Sequence, residues 1–177
     1  MSELPSHTLW LTGLSGAGKT TLAHAVAERL NQVGRRCVVL DGDALRSGLN
    51  RDLGFDPRDR AENIRRTAEV ARLMNDAGLV VVAALISPLR ADRAAARAII
   101  GAQRFREIHV ITPLAVCEAA DVKGLYGRAR RGELAQFTGV GAAYEAPEAP
   151  RLTIEPMRAG LEPAVQTLLA LLEDPLP

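Results

Sequence analysis

Gly13-Leu14-Ser15-Gly16-Ala17-Gly18-Lys19-Thr20 matches the pattern G-x-x-x-x-G-K-[ST] in full. An apolar run, Thr8-Leu9-Trp10-Leu11-Thr12, precedes it, and a helix-like run, 21–33, follows, so the loop stands between a strand and a helix as a phosphate loop must. Its glycines let backbone wrap a polyphosphate, and the amides at the helix start, Thr21 included, face the anion. Lys19 reaches the outer phosphates and Thr20 offers a hydroxyl to Mg²⁺. A nucleoside triphosphate is therefore the expected ligand.

Beyond the loop, apolar runs at 37–40 and 79–86 and strand-like stretches at 105–111 and 151–155 predict four further strands. Helical spacing is read over 61–77, 91–100, 114–119 and 161–173, and the polar, glycine-containing stretch 44–60 reads as loop. Strands that are nearly all apolar and alternate with helices predict a parallel five-stranded sheet covered on both faces. In such a sheet ligands lie at the carboxyl ends of the strands, which here carry the phosphate loop, Asp41 with Asp43, Ser87, and Thr112. The segment 121–150 lacks a clean period and is expected to be a mobile lid with some helix over 126–134.

A length of 177 residues predicts one domain over 1–177. The net charge of +1 argues against a nucleic-acid or polybasic membrane surface, so small-molecule partners are expected. The longest apolar run is too short to span a bilayer and no leader-like segment opens the chain, which predicts a soluble, cytoplasmic protein. Cys37 and Cys117 have no metal-ligand spacing around them and read as reduced core thiols.

Phosphoryl transfer needs charge neutralisation, alignment and somewhere for the acceptor's proton to go. Asp41 and Asp43, flanking Gly42 at a strand end, can orient an acceptor and hold Mg²⁺ through water; capping the following turn is their alternative reading. His7, His24 and His109 stand apart in the sequence, so no imidazole base is expected. The chain holds two lysines, Lys19 and Lys123, against twenty arginines. Lys19 serves the phosphate loop, and Lys123 becomes a candidate ligand contact.

Asp41-Gly42-Asp43, Gly48-Leu49-Asn50-Arg51-Asp52-Leu53-Gly54-Phe55, Arg60-Ala61-Glu62-Asn63-Ile64-Arg65-Arg66, Ile86-Ser87-Pro88, Lys123-Gly124-Leu125-Tyr126 and Phe137-Thr138-Gly139 together resemble the successive motifs of adenylylsulfate kinases. The resemblance covers 9–154 and implies a P-loop kinase fold with a lid. It also implies ATP-dependent phosphorylation of the 3′-hydroxyl of adenosine 5′-phosphosulfate, with Mg²⁺ and a homodimer. Carried over by position, the adenylylsulfate site takes in Asp43, Arg46, Phe55, Arg60, Asn63, Ile86, Ser87, Lys123, Leu125, Phe137 and Thr138. Arg128 and Arg130 of the lid would close on the ATP phosphates.

Phe55 and Phe137 lie in polar, loop-like segments where a core role is hard to supply, and two rings sandwiching an adenine would account for them at about 1–3 kcal/mol per stacked base. The family's serine at the position of Ser87 has been assigned as a phosphoserine intermediate. Ser87 has no histidine or second lysine near it in sequence, so direct in-line transfer with Ser87 as a substrate ligand is expected. Two alternatives remain open: another small-molecule P-loop kinase, and a regulatory module that binds nucleotide without turnover.

Overall fold

The computed structural model describes residues 6–121 and 123–173; residues 1–5, Val122 and 174–177 of the expected 1–177 domain lie outside it. Five parallel strands, β1 (Thr8–Thr12), β2 (Cys37–Asp41), β3 (Val80–Ala84), β4 (Phe105–Val110) and β5 (Leu152–Ile154), form one sheet in the order β2-β3-β1-β4-β5. The expected parallel five-stranded sheet is borne out.

Side-chain alternation along the central strands divides the interior in two. Leu9 and Leu11 of β1 join Val80, Val82, Ile108 and Val110 on one face, covered by α1 (Lys19–Gln32) and α8 (Leu161–Glu173). Trp10 joins Val81, Ala83 and Phe105 on the other, covered by α3 (Pro57–Asp76) and α4 (Arg90–Ile100). Because the central strands β1 and β3 bury both faces, they read as nearly or wholly apolar, while β2, β4 and β5 carry partly buried or polar positions.

Two elements depart from the sequence reading. The stretch 44–60 is not all loop: α2 (Gly42–Ser47) starts at Asp41, whose carboxylate accepts from the amides of Asp43 and Ala44. Helix α3 begins at Pro57, ahead of the expected 61, because Asp56 caps it by accepting from the Asp59 amide and proline suits the first turn. Short α5 (Leu114–Ala119) and α6 (Leu125–Arg130) follow β4, and α7 (Pro156–Ala159) follows β5. Where β1 runs into the phosphate loop, the chain passes so close to β4 that a Cβ on Gly13 would stand 2.3 Å from the Val110 carbonyl oxygen. Only glycine fits that crossing.

Candidate active site

The phosphate loop leads into α1 through Gly18, whose φ of 92° is left-handed, and no side chain caps the helix. Amides at that N-terminus are thus left for an anion. Lys19 is buried and its Nζ donates to the carbonyls of Gly13 at 2.9 Å and Leu14 at 2.6 Å. Burial pulls its pKa down to about 8, against the opposing pull of Cys117 and Asp41.

Across the loop, Thr20 Oγ1 donates to Asp41 Oδ2 at 2.7 Å, while Asp41 Oδ1 caps α2. Both readings of Asp41 therefore hold, one on each oxygen. A hydroxyl and a carboxylate oxygen side by side at the mouth of a phosphate loop are hard donors of the kind Mg²⁺ takes one or two of, keeping water and phosphate for the rest. These residues fit the ion. Asp43 is paired with the ammonium of Lys123, which ties the lid to the start of α2.

On the facing side, Arg46 donates to the carbonyls of Leu53 and Gly54, and its guanidinium lies 4.3 Å from the centre of the exposed Phe55 ring. Arg60 reaches the lid, donating to Thr138 Oγ1 at 2.9 Å and to the Gln136 carbonyl. Asn63 is buried and its Oδ1 accepts from Asn50, leaving its amide N–H groups for the cleft. Phe137 corrects the sequence reading in one respect. It is 8% exposed, belongs to the apolar cluster over α1, and meets Tyr126 edge-on at 4.9 Å between ring centres. Tyr126 in turn donates to the Ser15 carbonyl of the phosphate loop at 2.8 Å. A loop phenylalanine thus has a core role after all, because the lid folds its turn onto α6.

Ser87 is the one described non-glycine residue with a left-handed φ, 39°, and it is 3% exposed. Such backbone costs about 1–3 kcal/mol and persists only where its surroundings hold it. Trp10 Nε1 donates to Ser87 Oγ at 3.1 Å, and Thr12 Oγ1 donates to the carbonyls of Ile86 and Ser87. Arg93, 2% exposed, donates to the Ser87 carbonyl as well.

These groups wall one cleft of about 860 Å³ at the carboxyl ends of β1, β2 and β3. Ser15, Gly16, Lys19 and Thr20 line one part of it. Asp41, Asp43, Arg46, Phe55, Arg60, Asn63, Ile86, Ser87, Lys123, Leu125, Phe137 and Thr138 line the rest. Of the candidates, Gly13, Leu14, Ala17, Gly18 and Thr21 do not line it. Arg130 points away, held by Glu118 at 2.5 Å, whereas Arg128 does line the cleft. A smaller hollow of about 600 Å³ beside α3 is walled by Arg65 and Arg66, both already paired with Glu62, and carries none of the strand-end groups. Sequence reading did not single out Arg93, Trp10, Asn50 or Tyr144 as parts of the site; the last shares a hydrogen bond with Thr12 at 2.9 Å.

A phosphate loop opening into a second, cation-lined compartment on one parallel sheet defines a P-loop kinase. The family model described as adenylylsulphate kinase matches residues 5–155. The chain belongs to the adenylylsulphate kinase family. It is 55% identical over 170 residues to an adenylyl-sulfate kinase of Paraburkholderia xenovorans, covering 96% of this chain and 94% of that one. It is 56% identical over 164 residues to an adenylyl-sulfate kinase of Shewanella denitrificans, covering 93% and 80%. Its fold matches the Mycobacterium tuberculosis APS kinase CysC in complex with AMPPNP and APS at a TM-score of 0.91 and 45% identity, over 96% of this chain and 99% of that one.

Proposed function

We propose that this chain transfers the γ-phosphoryl group of ATP to the ribose 3′-hydroxyl of adenosine 5′-phosphosulfate, giving 3′-phosphoadenosine 5′-phosphosulfate. The observation that carries the reading is the continuity of the cleft: Lys19 and Thr20 share one cavity with Asp43, Phe55, Arg60 and Asn63. Two anionic nucleotides can therefore meet end to end, as in-line displacement requires. ATP would lie along Ser15–Thr20, with Lys19 on the outer phosphates and Arg128 near them. Thr20 and Asp41 would hold Mg²⁺, which when bound offsets the charge that develops on the phosphoryl oxygens.

The acceptor would lie between β2, α3 and the lid. Arg46, Arg60 and Lys123 supply positive charge for its phosphate and sulfate oxygens, and Asn63 supplies amide donors for a neutral edge. Phe55, exposed and backed by Arg46, and the cleft-facing part of Phe137 would bracket the adenine. Asp43 would accept the hydroxyl proton, which requires Lys123 to shift from its carboxylate onto the substrate. Family likeness also supports a homodimer, and a cytoplasmic site is consistent with the absence, among the described residues, of a helix long and apolar enough to cross a membrane.

Coupled measurement of ADP release tests the reading. Release that depends on adenosine 5′-phosphosulfate is expected. Release driven instead by a nucleoside monophosphate or sugar would replace the substrate assignment, and ATP binding with no turnover on any acceptor would make the chain a nucleotide-binding module.

A further inference from the structure

Arg93 lies on α4 with its guanidinium turned into the molecule, where it joins three segments far apart in sequence. Its Nε donates to Glu107 Oε1 of β4 at 2.6 Å, Nη1 to the Ser87 carbonyl at 2.8 Å, and Nη2 to the Glu145 carbonyl at 2.7 Å. Glu145 belongs to the trailing end of the lid segment 121–150, which is itself fastened to the same place. Its amide donates to the Pro88 carbonyl, and its carboxylate accepts from the Arg90 amide at the start of α4. The residue on which all this converges is the left-handed Ser87, beside Ile86 in the cleft wall.

We propose that Arg93, oriented by Glu107, is a positioning residue that holds the Ile86–Ser87 turn in its left-handed form and couples that turn to the trailing end of the lid, thereby setting the acceptor compartment. The acceptor's identity in this inference rests on the function proposed above; the positioning does not. A planar fork spreads five donors over three nitrogens in a fixed plane and so meets three acceptors set well apart, whereas an ammonium offers its three donors from a single atom. Burial strengthens the bond to Ser87, because Arg93 and Ser87 are both buried and a charge-assisted hydrogen bond gains where water is excluded, whereas the bond to the exposed Glu145 ties the buried guanidinium to the surface. Arg93 touches no reacting atom and acts through the backbone it holds.

The chain contains one tryptophan, and its indole N–H donates to Ser87 Oγ, so the turn carries its own reporter. The test compares wild type with Arg93→Lys, and with Glu107→Gln as a milder variant should the first fail to fold. Ser87→Ala serves as the reference for a lost indole bond. In the folded variant the single indole ¹H–¹⁵N signal should move toward its position in Ser87→Ala, and its hydrogen exchange should quicken by about tenfold or more. The KM for adenosine 5′-phosphosulfate should rise by about tenfold while that for ATP stays within about twofold. A folded variant with wild-type indole signal, exchange and acceptor KM overturns the proposal, even if its melting temperature falls, since that pattern is mere structural support. Should wild type prove inactive on adenosine 5′-phosphosulfate, the functional reading fails, and the indole signal alone still decides whether Arg93 positions the turn.

Discussion

Lys19 carries a proton that the folded chain holds less tightly than the unfolded one, about 8 against 10.5, because burial disfavours the ammonium. Below about pH 8 the charged group weakens the fold, and that penalty relaxes as pH rises through 8 toward 10.5. A polyphosphate favours the ammonium, so ATP binding should take up a proton at about pH 8.5 and weaken as pH climbs further. Calorimetry at that pH in two buffers of different ionisation enthalpy should give different heats; equal heats would mean that Lys19 is already fully protonated. Ser87 offers a second prediction. Its hydroxyl accepts from a fully buried indole, so Ser87→Ala strands that donor and should cost about 1–3 kcal/mol of stability. The variant should keep reduced but measurable turnover, as direct transfer requires. Abolished turnover in a folded variant, with labelled phosphate trapped on wild-type Ser87, would instead establish a covalent route.

Helix α2 exists because Asp41 caps it, and that carboxylate also accepts from Thr20. Asp41→Asn keeps one cap acceptor and should cost little stability, whereas Asp41→Ala should lose about 1 kcal/mol in chemical denaturation. Both should lower kcat; equal stability of the two would show that the cap contributes nothing. In the lid, Phe137→Ala should cost about 3 kcal/mol and raise the acceptor KM, since the ring packs on Tyr126 and also lines the cleft. Phe137→Leu should recover most of the stability but not the acceptor affinity, and recovery of both would remove the flat ring from the site.

These elements also mark what a sequence can disclose. β1 and β3 are legible because both faces of each are buried, which makes them nearly or wholly apolar, whereas β4 and β5 carry polar residues and are read from their alternation with helices. Helix α2 is not legible, since six residues with Leu45 as the only buried one carry no period. The start of α3 was written in Asp56-Pro57, a cap followed by a first-turn proline, but Gly54 just before it reads as loop. The candidate site residues were read on other grounds, from the phosphate-loop pattern, from carboxylates at strand ends and from the family resemblance. Arg93 was hidden because a lone arginine on a helix reads as solvated, and its partners stand 6, 14 and 52 positions away.

Across the whole molecule, acid should act in part through His7. Burial and the neighbouring charge of Arg106 hold its pKa down to about 4, from an ordinary 6.5. The folded pKa is the lower one, so the stabilisation is complete above 6.5 and is lost as pH falls through 4, at a total of about 2–3 kcal/mol. Urea midpoints should decline over that window in wild type and much less in His7→Gln; parallel curves would assign the decline to other groups. The two lysines have a practical consequence of another kind. Both line the cleft, Lys123 well exposed and Lys19 buried, while the outer surface takes its positive charge from arginine. A reagent that acylates primary amines, which in most proteins decorates the surface at random, should here behave as an affinity label without needing any resemblance to substrate. It should strike Lys123 before Lys19, and conventional amine coupling to a dye or a resin, apart from the α-amino group of the chain, should fall on the cleft and blind the enzyme.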